Sequence, residues 1–134
     1  MKATTRILLA LLLLPLCACE REAHLYNLES GAMSVLHYSG GSRGKLGGTL
    51  ATGETVKGEY STVVNAAVAW GSIYSSVYTA TGSEVALGGA SHGSAVLTGD
   101  KGSVLECEYV SSSLGGHGTG ACRDNHGTKY RLLY

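Results

Sequence analysis

Glycine sets the grain of this chain. All 20 glycines lie at or beyond Gly31, and they divide the rest of the sequence into short runs in which apolar and polar side chains tend to alternate. A helix interior loses about 1 kcal/mol for each glycine, whereas alternating runs bounded by turn residues suit strands of a half-buried sheet. Pro15 is the only proline and phenylalanine is absent, so the apolar side chains available for a core are Val, Leu, Ala, Tyr and a single Trp. The expected fold class is all-β, a single small antiparallel barrel or sandwich.

The runs can be placed. Leu25–Leu28, a turn at Glu29-Ser30-Gly31 and Met33–Ser39 form a first hairpin. Lys45–Ala51, Thr55–Val64, Gly93–Thr98, Ser103–Val110, Thr119–Asp124 and Thr128–Tyr134 follow as strands. Between them stand Thr52-Gly53-Glu54, Gly99-Asp100-Lys101-Gly102 and Asn125-His126-Gly127, where Gly and Asn tolerate the positive φ of tight turns.

The chain also repeats itself. Shifted by 49 residues, GGSRGKLGGTLATGETVKGEY (40–60) aligns with GASHGSAVLTGDKGSVLECEY (89–109), and Gly44, Thr49, Gly53 and Tyr60 meet Gly93, Thr98, Gly102 and Tyr109. Each copy reads strand, turn, strand. Two copies are too few for a solenoid, so they predict a pseudo-repeated hairpin inside one closed or sandwiched sheet. In the second copy Leu105, Cys107 and Tyr109 share one face and Glu106 and Glu108 the other.

The N-terminus has a different character. Lys2 and Arg6 precede an apolar run from Ile7 to Leu16, too short to span a bilayer at about 20 residues per crossing, and the pattern is that of an export signal. The run ends in Leu16-Cys17-Ala18-Cys19, which resembles the lipobox of bacterial lipoproteins. The resemblance implies a signal peptide over residues 1–18, a lipidated tether over 19–24 and a β domain over 25–134. It further implies that Cys19 carries diacylglycerol and palmitate, which anchor stably where one chain would not. Cys17 as the anchor, and plain secretory cleavage near Ala18, are the alternatives. Glu20 after the anchor, where an Asp favours inner-membrane retention, points to the outer membrane.

Loss of residues 1–18 leaves 116 residues, a size for one domain, and removes Lys2 and Arg6, so eight basic residues face ten acidic ones, about −2 in net charge. No basic stripe argues for a nucleic-acid partner. With Cys17 discarded and Cys19 acylated, Cys107 and Cys122 remain as a pair in an oxidising compartment and are expected to be bonded.

Two further features bear on function. Residues 63–80, VVNAAVAWGSIYSSVYTA, form the most apolar part of the mature chain and carry Trp70, Tyr74 and Tyr78, expected as a core hairpin or as an exposed partner-contact patch. His92, His117 and His126 each stand beside glycine in expected turns; a zinc site would require three such turns to converge. The expectation is solvated histidines, with no metal, no cofactor and no catalytic set.

GEYST (58–62), CEY (107–109), GHGTGAC (116–122) and GTKYRLLY (127–134) together resemble a family of small proteobacterial lipoproteins, over roughly the last 80 residues plus the lipobox. The resemblance maps that family's two cysteines onto Cys107 and Cys122 and supplies no activity, cofactor or catalytic residue. The expected function is therefore that of an outer-membrane lipoprotein binding an envelope protein or glycan, or serving as a structural module there, not an enzyme. The alternatives are inhibition of a hydrolase such as lysozyme and, less favoured, metal-assisted hydrolysis by the turn histidines. Alkylation of the unreduced protein should leave Cys107 and Cys122 unlabelled; modification of both would contradict their pairing.

Overall fold

The computed structural model describes residues 19–64, 90–112 and 116–134. They form eight strands: β1 Arg21–Asn27, β2 Met33–Tyr38, β3 Arg43–Thr49, β4 Thr55–Val64, β5 Ala90–Gly99, β6 Val104–Ser112, β7 Gly118–Asp124 and β8 Lys129–Leu133. Each is antiparallel to the next in sequence order, and β1 pairs with β8, so the sheet is a closed up-and-down barrel. Closure runs from His24 opposite Leu133 to Asn27 opposite Tyr130. Of the two architectures the sequence allows, the barrel is the one adopted. It removes both sheet edges and the unpaired backbone groups they would present.

Strand boundaries follow the alternation to within one or two residues, except that β5 begins three residues before Gly93 and β1 four residues before Leu25. A tether reaching His24 is shortened, because β1 already begins at Arg21, whose pairing with Tyr38 opens the β1–β2 ladder. Ala23 and Leu25 are buried inside while His24 and Tyr26, which alternate with them, are partly exposed, so the period-two pattern extends further back than the Leu25 start suggests.

The interior is narrow, as eight strands require. Leu25, Leu36, Val56, Leu97 and Leu105 are fully buried at its centre. Cys107 and Cys122 are direct register partners on β6 and β7, joined by a disulfide inside the barrel and bracketed along β6 by Leu105 and Tyr109. A cross-link closing a 15-residue separation is worth about 3 kcal/mol in the chain-entropy model.

The outer wall has the opposite chemistry. Lys45, Lys57, Glu59, Glu106, Arg123 and Lys129 are exposed on it, and Lys45 faces Glu59 and Glu106 faces Arg123 across neighbouring strands. Val96, Met33 and Leu133 are the large apolar side chains exposed beside them; a lipid-facing barrel carries an apolar outer band and loses a few kcal/mol for a mid-bilayer Lys or Arg. Among the described residues no helix is long and apolar enough to cross a membrane.

The 49-residue repeat is the β3–β4 hairpin laid over the β5–β6 hairpin. Gly53 and Gly102 occupy equivalent turn positions with φ of 78° and 96°. Glycine does a second job within the strands, where the sequence suggested mainly punctuation. At Gly58 on β4, a Cβ would run into the Val96 carbonyl and the Leu97 backbone of β5. Gly58→Ala should therefore destabilise by at least about 2 kcal/mol in denaturant unfolding, through forced backbone displacement. Gly102→Ala meets open space and should cost about 1–2 kcal/mol for its left-handed conformation alone. Equal effects at the two positions would contradict the tight β4–β5 approach.

Candidate binding site at the barrel mouth

The two ends of the barrel differ in how their polar groups are satisfied. At the end formed by the β1–β2, β3–β4, β5–β6 and β7–β8 turns, side chains latch one turn to another. Glu54 accepts hydrogen bonds from the Lys101 and Ser103 amides, both at 3.0 Å, and from the Ser103 hydroxyl at 2.6 Å. The Ser103 hydroxyl and amide, ahead of the Lys101 contacts, hold the Glu54 carboxyl below its ordinary pKa against the opposing effect of burial. Asn125 accepts from the Val104 amide and donates to the Gly102 carbonyl. Asp124 accepts from the His126 and Thr128 amides and from the Tyr130 hydroxyl. Burial pushes the Asp124 pKa up, but these hydrogen bonds outweigh it and leave the group low. This end is closed.

The opposite end is the mouth. It gathers Arg21 at the start of β1, the β2–β3 loop, Val64 and Ala90, His117 before β7, and the C-terminal Tyr134. Inside it, four tyrosines form a chain of edge-to-face contacts. Tyr60 meets Tyr38 at 5.8 Å between ring centroids, Tyr38 meets Tyr134 at 6.0 Å, and Tyr134 meets Tyr109 at 5.7 Å, with interplanar angles of 80–90°. Such pairs are favoured by the ring quadrupoles.

Three of these rings have a common origin in the sequence. Tyr60, Tyr109 and Tyr134 each follow a glycine by sixteen residues: Gly44, Gly93 and Gly118. Gly44 faces Tyr60 on the β3–β4 ladder, Gly93 faces Tyr109 on the β5–β6 ladder, and Gly118 exchanges backbone hydrogen bonds with Tyr134 at the end of the β7–β8 hairpin. A Cβ at any of the three would collide with the tyrosine opposite, so each glycine clears a seat for a ring lying across the backbone. Three hairpins thus deliver one tyrosine each to the same rim.

Between the rings and the strands is a cavity of about 110 Å³. Its floor is apolar, from Ala23, Leu46, Ala95 and Leu132; its rim carries Thr62, Ser111 and Arg21. The Thr62 and Tyr109 hydroxyls share a hydrogen bond of 2.8 Å. The hydroxyls of Tyr60 and Tyr134 are buried and have no hydrogen-bond partner among the described residues. Ser111 stands near enough to Tyr134 to temper its pKa without a hydrogen bond of good geometry. Burial raises the Tyr109 and Tyr134 pKa values; the Thr62 and Ser111 side chains partly offset this, and the neighbouring tyrosines add to it. Both rings stay neutral donors at ordinary pH. Arg21 alternates in phase with Ala23 and Leu25, and its guanidinium reaches past Gly40 towards Gly116, across the opening.

The residues the sequence singled out lie elsewhere. Cys19 is exposed and unpaired, two positions before β1. Trp70, Tyr74 and Tyr78 lie outside the described residues. His92 is on β5, His117 precedes β7 at the mouth and His126 sits in the turn at the closed end, so the three do not converge. Among the described residues no group of three or more His, Cys, Asp or Glu side chains could hold a metal ion. Arg21 and the four mouth tyrosines were not anticipated; the thrice-repeated Gly-to-Tyr spacing was the signal that could have found three of them.

No protein-family model, curated protein or solved structure matches this chain.

The tyrosines also set an alkaline limit. Tyr109 and Tyr134 are raised at the mouth, and Tyr130 at the closed end is pushed up to about 12 by burial and by Asp124. A raised folded-state pKa contributes stability that is complete below the unfolded value of about 10 and is lost as pH climbs through the folded values. Tyrosinate absorbance should therefore rise in two stages, the second together with loss of β-sheet circular dichroism. A single titration of all eight tyrosines near pH 10 with the fold intact would contradict these burial effects.

Proposed function

We propose that this chain is an outer-membrane lipoprotein, anchored through acylated Cys19, whose barrel acts as a binding module with its mouth turned towards the bilayer. The observation that carries the reading is the distance from anchor to mouth. β1 begins at Arg21, and Arg21 itself stands at the rim, so only Cys19 and Glu20 separate lipid from opening. Two extended residues span about 7 Å. A tether that short holds the mouth close to the membrane.

The charged outer wall supports the same reading, since it suits a domain held beside a membrane rather than within one. So does the resemblance to small proteobacterial lipoproteins. GEYST carries Tyr60 and Thr62, CEY carries Cys107 and Tyr109, GHGTGAC carries Gly118 and Cys122, and GTKYRLLY carries Tyr134. The motif residues are those that build the disulfide and the mouth. Binding is favoured over catalysis because the mouth offers hydrogen-bond donors and one cation around an apolar floor, the composition of a recognition pocket. Nothing at the mouth specifically favours capture of a hydrolase such as lysozyme.

Mass spectrometry of protein extracted from membranes should find an N-terminal peptide beginning at Cys19 and carrying diacylglycerol plus palmitate. Cys19→Ala should release the protein into the soluble envelope fraction, while Cys17→Ala should not. An unmodified N-terminus in membrane-extracted protein would overturn the proposal.

A further inference from the structure

The mouth also has a chemistry that selects its ligand. About 150 Å³ of apolar cavity admits benzene, so about 110 Å³ suits an aliphatic group of roughly four carbons. The floor of Ala23, Leu46, Ala95 and Leu132 offers no polar group to such a tail. Above it, the Tyr60 hydroxyl is held on a side chain only 7% exposed, and the Tyr134 hydroxyl is buried on a ring that is itself partly exposed; neither has a hydrogen-bond partner among the described residues. A buried hydroxyl left unpaired is a standing cost, relieved by an acceptor placed against it. Among the described residues Arg21 is the only charged side chain lining the cavity, and no carboxylate lines it. Two neutral donors and a guanidinium thus line one cavity, and an ammonium seated there would meet Arg21 with no carboxylate among the described lining residues to balance it.

We propose that the mouth binds a short aliphatic monocarboxylate, with its tail against the apolar floor and its carboxylate accepting hydrogen bonds from Tyr60 and Tyr134 beside Arg21. The inference deepens the binding-module reading by naming the ligand class. It rests on the mouth being the working end and is independent of acylation at Cys19, so the failure of either can be told from the failure of the other.

Three probes with one carbon chain and different heads provide the test: butyrate, 1-butanol and butylamine, titrated into the purified protein with ring-labelled tyrosines observed by NMR. Butyrate should move the Tyr60 and Tyr134 signals saturably and leave Tyr130, at the closed end, in place. Butanol should bind about tenfold more weakly, the scale of a charge-assisted hydrogen bond, and butylamine not at all. Arg21→Gln should weaken butyrate several-fold and leave butanol unchanged. Tyr60→Phe should weaken butyrate with a Tm equal to or above that of the wild type, because it removes a hydroxyl that has no partner in the free protein. Equal binding of the three probes, shifts confined to other tyrosines, or a Tyr60→Phe variant that loses stability while keeping its butyrate affinity would each overturn the proposal.

Discussion

The first strand must find the last. Residues 24–27 pair with 130–133, and until they do the sheet is an open ribbon with two bare edges. The entropic cost of bringing such distant segments together grows only slowly with loop length, but no local signal guides them. The disulfide helps indirectly. By fixing Cys107 of β6 against Cys122 of β7, it holds the strand next to β8 in register, so the closing strand has a defined edge to add to. Closure then decides the interior: which side chains meet and how narrow the lumen is.

Glycine is what lets so small a lumen hold so many rings. With no phenylalanine and a narrow eight-strand interior, rings have to come from tyrosine, and three of them are seated where the strand opposite has given up its side chain. Gly44, Gly93 and Gly118 make that concession at the mouth. Gly99 makes it at the closed end, where a Cβ would strike the Glu54 carboxylate. The consequence at the two ends is opposite. Glu54, Asp124 and Asn125 are tied to named partners, while at the mouth two tyrosine hydroxyls are buried without one among the described residues. Polar groups left unpaired inside an otherwise consistent fold are where a function is to be sought.

Much of this architecture is legible in the residues. Period-two alternation placed Leu105, Cys107 and Tyr109 inside and Glu106 outside, turn glycines located the hairpins, and the 49-residue repeat is a repeat of structure. The boundary at Arg21 was obscured because a charged residue at a rim and one in a tether look alike in sequence. Barrel and sandwich share the same alternation, so only the β1–β8 pairing separates them. The mouth was hidden for a related reason. A ring of tyrosines drawn from β2, β4, β6 and the C-terminus exists only after closure, and no window of sequence contains it. The histidines show the converse: three similar Gly-flanked residues end up on a strand, beside the mouth and at the closed end.

The proposed anchor at Cys19, two residues from Arg21 at the rim, makes one geometric claim, that the barrel stands on the membrane with its mouth downward. Fluorescence quenching by a lipid-phase quencher tests it directly, with one dye attached through a cysteine replacing Ser42 in the β2–β3 loop and another through a cysteine replacing Lys101 at the closed end. The account predicts strong quenching at position 42 and little at 101 in reconstituted, acylated protein. Equal quenching at the two positions, or stronger quenching at 101, would contradict it.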